Sequence, residues 1–128
     1  VSPKEIFAAF DSQHIVVANI ASPTSERNIE VNSRVCISFV DIFVQKGFKV
    51  IGTARNIRRS DADFSKWSTP LEAMAGAKFP IRSVFVIQAV SVEPIIAPSY
   101  RLYTAETTEK SQVASAMQTY GVQRSSDV

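Results

Sequence analysis

The alternation of apolar and polar residues predicts short strands near the start of the chain. Residues 5–10 and 14–20 are expected to form two strands joined by a polar turn, because the β-branched run in the second segment is too short for a helix. Ser22 and Pro23 then match a helix start, with serine as the N-cap and proline at the first helical position. Residues 24–32 are therefore expected to form about two helical turns.

The segment Arg34–Val44 is the strongest predicted strand of the chain. Both of its alternating faces are mainly apolar, so we expect two covered faces, one toward a barrel interior and one toward a helix or a second subunit. Asp41 is the exception in this run, and a charge at an edge or bulge explains it as well as a functional role does. The pair Lys46–Gly47 predicts a tight turn with a positive φ at the glycine. Gly52 then indicates a bend, a bulge or a close approach in the returning strand.

The second half of the chain predicts one more long strand and two helices. A short helix is expected over residues 70–77, a strand over Ser83–Ile96, and a helix over Glu109–Tyr120 with Gly121 just past its end. Long strands, few helices and short hairpins together predict a mainly β fold, a small antiparallel barrel. The apolar stripe expected to pack the last helix consists of Val113, Ala114, Met117 and Tyr120.

The composition is typical of one globular domain. The chain has 128 residues, 45% of them hydrophobic, which is enough to bury a core without disulfides or metals. We assign residues 1–122 to this domain and residues 123–128 to a polar C-terminal tail. The formal charge of +2 gives no electrostatic reason to expect nucleic acid or a membrane surface as a partner. No apolar run approaches the roughly 20 residues that span a bilayer, so a cytoplasmic location is expected.

Conventional catalytic and metal-binding groups are scarce. Cys36 is the one cysteine, which excludes an internal disulfide, and its apolar surroundings predict a buried core residue. His14 is the one histidine, so a zinc or non-haem iron site built from histidine and cysteine is not expected, and no nucleophile motif accompanies it. The sequence has no G-x-G-x-x-G or P-loop pattern. An enzyme that works through its own side chains is therefore disfavoured.

A group of anion-binding residues does precede the strongest strand. The predicted helix start presents backbone N–H groups and a partial positive charge, which together favour a phosphate. Ser22, Thr24 and Ser25 add hydroxyl groups there, and Arg27 adds a cation. The alternative is that Ser22 only caps the helix while Arg27 faces solvent, and the spacing alone leaves both interpretations open.

Four segments of the chain carry a more specific signal, namely "VSPKEIF", "VANIASPTSERNI", "RVCISFVDIFVQKGFKVIGTARNI" and "APSYRL…TYGV". Together they resemble the pyridoxamine 5′-phosphate oxidase-like family of FMN-binding split barrels, and the run from Val17 to Ala54 is the most specific part. The resemblance implies a six-stranded antiparallel split β-barrel that forms a homodimer, with FMN in two clefts between the subunits. It also implies a helix and a first strand ahead of Val1, so N-terminal residues are expected to be missing here.

The resemblance also assigns site residues one by one. Lys4 is the candidate for a basic contact to the phosphate or the ring. Ala18 and Asn19 match positions that line the flavin. Gln45 resembles a glutamine that hydrogen-bonds the flavin from the other subunit.

The chain departs from the oxidases at two of these places. Thr24 and Ser25 stand where the oxidases have an Arg-Lys pair on the phosphate, so both charges are missing, and Arg27 or Lys4 would have to compensate. The C-terminal Trp and Arg contacts of the vitamin B6 enzyme have no match. Pyridoxamine phosphate is therefore disfavoured as the substrate.

Three functions remain open from the sequence. The first is an FMN-dependent oxidoreductase with a small-molecule redox substrate, in which the cofactor carries the chemistry. The second is a binding or carrier module for a flavin, a deazaflavin or haem without turnover, and the third is a structural barrel whose cleft binds no ligand. The cofactor-binding set expected for the first function is Lys4, Ala18, Asn19, Ser22, Thr24, Ser25, Arg27 and Gln45, with no catalytic side chain and no metal.

Overall fold

A computed structural model describes residues 1–125 of the chain. The mainly β character of these residues agrees with the sequence prediction. The elements in chain order are β1 (Phe7–Ala9), β2 (His14–Asn19), α1 (Pro23–Val31), β3 (Arg34–Asp41), β4 (Lys46–Arg58), α2 (Phe64–Ala75), β5 (Ser83–Ile96), α3 (Ser99–Leu102) and α4 (Glu109–Tyr120).

The five strands form one sheet in the order β1-β2-β5-β4-β3. β1 pairs with β2 and β2 pairs with β5, both in antiparallel fashion, and the second register places Asn19 opposite Ser83. The predicted fold class, a mainly antiparallel sheet with short helices, is thus confirmed, with five strands in the described residues where the resemblance implies six. The strand expected ahead of Val1 stays a prediction.

The described chain divides into two compact units. The first unit comprises Val1–Cys36 and Val50–Ser91. The second unit comprises Ile37–Lys49 and the described residues from Val92 onward. Strands β3, β4 and β5 contribute residues to both units.

The predicted division into a domain over residues 1–122 and a polar tail stays a prediction. Residues 126–128 of that tail lie outside the described residues. Within the described part of the chain, no helix has the length and apolar character needed to cross a membrane.

The core of the first unit forms between the sheet and α2, which packs against β1 and β2. Trp67, the one tryptophan of the chain, is 5% exposed. The centroid of its indole lies 4.6 Å from that of the Phe10 ring and 5.4 Å from that of the His14 ring. Burial of each large apolar side chain contributes about 1.5–3 kcal/mol to stability. The core residues are Ile6, Val16, Ala18, Ile57, Phe64, Trp67, Leu71, Ala75, Ile81, Val84 and Val86.

Helix α2 begins at Phe64, well before residue 70, so the predicted start of this helix is wrong. Pro70 lies inside the helix rather than in its first turn. A proline at an interior position removes one hydrogen bond and usually ends a helix. The helix continues here because Phe64, Trp67 and Leu71 bury one continuous face against the sheet.

The turn between β3 and β4 falls earlier than the sequence predicts. β3 ends at Asp41, residues 42–45 form the turn, and the positive φ belongs to Gln45, at 60°, rather than to Gly47. Gly47 lies within β4, where a Cβ atom would come 1.7 Å from the backbone oxygen of Phe39. The glycine is therefore required by a close approach of two strands instead of by the turn.

Two further residues of this region have structural roles. Asp41 Oδ1 accepts hydrogen bonds from the backbone amides of Phe43 at 2.9 Å and Val44 at 3.1 Å, so the charge in the apolar run closes the turn. The close approach predicted at Gly52 is confirmed, because a Cβ atom there would lie 2.2 Å from the backbone oxygen of Gln88.

Strand β3 alternates between half-buried and exposed residues, so the single chain covers one of its two faces, and the expected cover of the other face by a second subunit stays a prediction. Val35, Ile37 and Phe39 are half-buried, whereas the opposite face is open. Cys36 lies on the open face and is exposed. The prediction of a buried core cysteine is therefore wrong, because the apolar run around it is covered on one side only.

Helix α4 has the bounds that the sequence predicts. Thr108 and Ser111 form a capping box at its start, and Gly121 takes the left-handed conformation at its end, with φ 65° and ψ 35°. The predicted apolar stripe is only partly covered, with Val113 and Met117 half-buried and Ala114 and Tyr120 exposed.

The second unit buries little apolar surface. Among its described residues, Ala116 is the one buried apolar side chain. The Phe43 and Tyr120 rings pack in a T-shaped arrangement, with their centroids 5.9 Å apart. The large apolar residues of this unit that stay exposed are Val40, Ile42, Phe48, Val92, Ile96, Leu102, Tyr103, Tyr120 and Val122.

Asp11 closes the turn between β1 and β2. Its Oδ1 atom accepts hydrogen bonds from the backbone amides of Gln13 and His14, both at 2.8 Å, and lies 2.8 Å from His14 Nδ1. The Gln13 amide first, and then the His14 side chain, lower the pKa of Asp11 below its ordinary value. The folded turn therefore favours the charged carboxylate.

We expect Asp11 to make stability depend on pH in acid. Because its pKa is lower in the folded than in the unfolded chain, its contribution is complete above the ordinary aspartate pKa and is lost as the pH falls through the lowered folded value. Asp11→Asn keeps an acceptor but removes the charge, so its free energy of unfolding should fall less between about pH 6 and about pH 3 than that of the wild type. Urea unfolding at the two pH values measures this difference, and equal losses would contradict the role of Asp11.

Candidate functional site

The candidate site begins at the junction of β2 and α1. Ser22 is the N-cap residue and Pro23 opens the helix, as the sequence predicts, but the Ser22 side chain makes no capping hydrogen bond. The N–H groups of a first helical turn have no partner inside the helix. The start of α1 therefore presents hydrogen-bond donors together with the positive end of the helix dipole.

Lys4 is the cation that the structure brings to this helix start. Its Nζ atom donates a hydrogen bond to Ser22 Oγ at 2.9 Å and another to Ser2 Oγ. Among the residues that the structure describes, no carboxylate lies within ion-pair distance of Lys4. Partial burial lowers the pKa of Lys4 below its ordinary value. Lys4 is thus a partly desolvated cation whose described partners are neutral hydroxyl groups.

Asn19 links β2, α1 and β5. Its side chain is fully buried, with 0% exposure. The Oδ1 atom accepts a hydrogen bond from the Ser22 amide at 3.0 Å, while Nδ2 donates to Ser83 Oγ at 2.8 Å and to Glu26 Oε2 at 3.2 Å. Both the oxygen and the nitrogen of the Asn19 side chain are therefore hydrogen-bonded within the protein, and these bonds hold the backbone that precedes α1. The flavin contact predicted for Asn19 stays a prediction.

Three residues of this junction are missing from the set predicted by sequence. Arg82 donates its backbone N–H to the Asn19 carbonyl at 2.9 Å, and its Nε atom lies 3.6 Å from Glu26 Oε2. Glu26 has a sequence signal, because acidic residues are common in a first helical turn. Arg82 and Ser83 reach the junction only through the pairing of β2 with β5, which the sequence does not reveal.

The other predicted residues of the first unit lie at different depths. Thr24 is exposed and Ser25 is half-buried in the first turn of α1. Arg27 is exposed, as the alternative interpretation expects, and its Nη2 atom lies 3.4 Å from Thr24 Oγ1. Ala18 is buried in β2 and donates its N–H to the carbonyl of Ile6 at 2.9 Å.

Gln45 belongs to the second unit and is exposed in the turn before β4. Its Oε1 atom accepts a hydrogen bond from Gln112 Nε2 at 3.2 Å. Gln112 lies in α4 and has no sequence motif that marks it, so sequence reasoning missed it.

The sequence of residues 1–114 matches the family model described as pyridoxamine 5′-phosphate oxidase. Because the match covers most of the chain, the protein belongs to this family, and the resemblance drawn from its sequence segments is confirmed. A comparison with curated protein sequences gives no significant match.

Several solved structures share the fold. HupZ from Group A Streptococcus has a TM-score of 0.63 at 20% identity, over 75% of this chain and 74% of that one. A candidate pyridoxamine 5′-phosphate oxidase from Lactobacillus delbrueckii has a TM-score of 0.57 at 21% identity, over 72% of this chain and 70% of that one. An FMN-binding protein from Syntrophomonas wolfei has a TM-score of 0.55 at 14% identity, over 71% of this chain and 64% of that one. At these identities the likeness is one of fold.

The junction of β2 and α1 has the donors that the phosphate end of FMN requires. Lys4 Nζ, the Ser22 hydroxyl and the first-turn amides of α1 are all able to donate to phosphate oxygens. Glu26 places a carboxylate in the same turn, but this carboxylate is held by Asn19 and faces the Arg82 guanidinium. The residues present therefore fit the phosphate group.

We expect Asn19→Ala to destabilise the protein by about 2–4 kcal/mol. The substitution removes the hydrogen-bond partner of the Ser22 amide and of Ser83 Oγ and leaves the Glu26 carboxylate with Arg82 alone, and each unsatisfied buried group costs about 1–3 kcal/mol. Urea unfolding measures the change. Asn28→Ala is the matched control, because Asn28 is exposed on α1 and its replacement should cost less than about 0.5 kcal/mol. A loss below about 1 kcal/mol for Asn19→Ala would show that the junction does not depend on this amide.

Proposed function

We propose that the protein is an FMN-binding homodimer that acts as a flavin oxidoreductase on a small-molecule redox substrate. The observation that carries this proposal is the state of Lys4, a partly desolvated cation beside a helix start, with hydroxyl groups as its described partners. A cation in this state gains most from an anion, and the adjacent helix dipole favours the same charge. Membership of the pyridoxamine 5′-phosphate oxidase family makes the phosphate of FMN the anion of choice.

Each predicted site residue has a proposed part in holding FMN. Lys4, Ser22 and the first-turn residues Thr24 and Ser25 would bind the phosphate, with Arg27 adding long-range attraction from the helix surface. In this arrangement Lys4, from the segment ahead of β1, supplies the positive charge that the Arg-Lys pair supplies in the oxidases.

The ring end of FMN is assigned to the other predicted residues. The backbone around Ala18 and Asn19 of one subunit and the side chain of Gln45 of the other subunit are proposed to contact the isoalloxazine. Bound FMN would supply the hydride or electron transfer, and the protein would orient it and exclude competing reactions. No side chain is proposed as an acid or a base. The reducing cytoplasm is the proposed location, which suits a chain with one, exposed, cysteine.

We expect Lys4→Met to weaken FMN binding by about ten- to hundredfold. The variant keeps most of the side-chain length but loses a hydrogen bond to a charged phosphate, which is worth about 1.5–3 kcal/mol. The Kd is measured from quenching of flavin fluorescence. Wild-type affinity should also fall as the pH rises through the lowered pKa of Lys4, because the amine then loses its charge, and Lys4→Met should lack this dependence.

Two variants serve as controls for this measurement. Lys4→Arg keeps the charge and should bind within about threefold of the wild type. Lys110→Met removes an exposed lysine of α4 and should have no effect. Equal affinity of Lys4→Met and the wild type would reject Lys4 as the phosphate ligand, and a wild type that binds no FMN would reject the proposed function.

A carrier module for flavin, deazaflavin or haem is the second candidate. The neutral residues Thr24 and Ser25 at the positions of the Arg-Lys pair favour it, because weaker phosphate binding suits a ligand that is exchanged. Steady-state oxidation of NAD(P)H by the FMN-loaded protein separates the two functions. Turnover supports the oxidoreductase, and a flavin that stays oxidised under these conditions supports the carrier.

The proposed homodimer is supported by the apolar residues that the single chain leaves open. Val40, Phe48 and Val92 are each more than half exposed, at 53%, 56% and 58%, although they belong to the strands of the sheet. Apolar surface of this kind on a sheet marks an interface. A second copy of the chain, related by twofold symmetry, would cover it.

We expect Val92→Asp to convert the dimer to a monomer. A carboxylate buried in an apolar interface costs several kcal/mol, and a twofold axis introduces it twice. Light scattering after gel filtration measures the molar mass, which should fall from that of two chains to that of one. Ala77→Asp places the same charge on the exposed turn after α2 and should leave the mass unchanged. A monomeric wild type would remove the homodimer from the proposal.

A further inference from the structure

A cavity of about 260 Å³ lies beside the end of α2. It is formed by the last residues of that helix, by the segment that leads from there toward β5, and by Arg59 just after β4. All of its lining residues belong to the first unit, and none of them is in the set proposed to hold FMN. Sites for drug-sized ligands have volumes of roughly 300–1,000 Å³, so this cavity suits a smaller molecule.

Arg59 is the positive group of the cavity, and two contacts hold it in place. Its Nε atom donates a hydrogen bond to the Ile81 carbonyl at 2.8 Å, and its guanidinium carbon lies 5.2 Å from the centroid of the Phe64 ring. Among the residues that the structure describes, no carboxylate lies within ion-pair distance of Arg59. Because Nε is engaged, the two Nη groups remain as a pair of parallel donors, which matches the two oxygens of a carboxylate.

The second polar group of the cavity, Glu72, is negative. It is exposed, and no basic group of the described chain lies within ion-pair distance of it. The last carbonyls of α2 lie at the same place and carry the negative end of the helix dipole, and the last turn has no basic residue to offset it. Lys78 follows shortly after, but its Nζ atom lies over the Phe79 ring, 5.8 Å from the centroid, and Lys78 does not line the cavity. This part of the cavity therefore favours a cation.

The remaining surface of the cavity is apolar. Ala75 and Ile81 are 7% and 2% exposed, and Phe79 is half-buried beside them. An aliphatic group placed against these residues would lose its contact with water at no cost in unpaired polar atoms. The cavity thus combines a carboxylate-binding group, a cation-binding group and an apolar surface.

The charges discriminate between classes of small ligand. A phosphate or a dicarboxylate would pair with Arg59 but would bring excess negative charge to Glu72 and to the end of α2. A simple amine would pair with Glu72 but would be repelled by Arg59. A molecule with one carboxylate and one ammonium group satisfies both side chains.

We propose that this cavity binds a free α-amino acid with an aliphatic side chain. The carboxylate of the amino acid pairs with the Nη groups of Arg59, its ammonium group pairs with Glu72 and the end of α2, and its side chain packs on Ala75, Phe79 and Ile81. The proposal adds a second small-molecule site to the chain and does not rest on the proposed flavin function.

Isothermal titration calorimetry on the whole chain tests the proposal with three related molecules. The probe is leucine. Isocaproate has the same carbon skeleton and carboxylate without the ammonium group, and isopentylamine keeps the ammonium group without the carboxylate. Leucine should bind at one site per chain and at least roughly tenfold more tightly than either of the other two, because only leucine satisfies both charged groups.

Two variants assign the charged groups. Glu72→Gln replaces an exposed side chain and should leave folding intact, and leucine should then bind no more tightly than isocaproate. Arg59→Lys keeps the positive charge but loses the paired donors, so it should weaken the binding of leucine and of isocaproate by roughly tenfold. Urea unfolding of Arg59→Lys, run in parallel, identifies any loss of affinity that comes from loss of the Ile81 contact.

Glu106→Gln and Arg101→Lys are the matched controls. They make the same chemical changes at exposed residues that do not line the cavity, and all three affinities should stay unchanged. If leucine shows no saturable binding below about 10 mM, or binds no more tightly than isocaproate, the amino acid site is overturned. Wild-type affinity for leucine in Glu72→Gln would overturn it as well, and none of these results would affect the proposal of FMN binding.

Discussion

The buried amide of Asn19 is the constraint on which the candidate site depends. One planar side chain of β2 meets both α1, through the Ser22 amide and the Glu26 carboxylate, and β5, through Ser83 Oγ. Because the bond to Ser83 Oγ is buried and the other two are partly buried, a shift of either element would leave a polar group unpaired at a cost of about 1–3 kcal/mol. The helix start that carries Ser22 is therefore rigid before any ligand arrives, and little ordering cost remains to be met on binding.

The positive charge of the candidate site comes from outside the helix. Thr24 and Ser25 carry no charge in the first turn, yet Lys4 supplies a cation from the segment ahead of β1. Relative to the Arg-Lys pair that the family resemblance implies at these positions, Thr24 and Ser25 lack two positive charges. The hydrogen bond from Lys4 to Ser22 shows instead that a basic group can reach the same helix start from a different part of the sequence.

Features with a local cause were predictable from the sequence, and features with a tertiary cause were not. The bounds of β5 and α4 follow from apolar runs and end signals that lie within those segments. The sequence predicts Gly47 in a turn, because nothing local reveals that the Phe39 carbonyl lies against it. The sequence predicts Cys36 in the core, because it shows an apolar run but not which face of that run is covered. In the site, likewise, the helix start at Ser22 is local, whereas the partner of Gln45 on α4 is visible only in three dimensions.

The position of Trp67 determines which part of the protein tryptophan fluorescence reports on. It is the one indole of the chain and lies in the core of the first unit, against Phe10 and His14. Its ultraviolet emission therefore monitors that unit alone, and a local opening of the α4 region would pass without a signal. Tyr100 and Tyr120 belong to the second unit, so tyrosine emission, excited at shorter wavelength, monitors that unit.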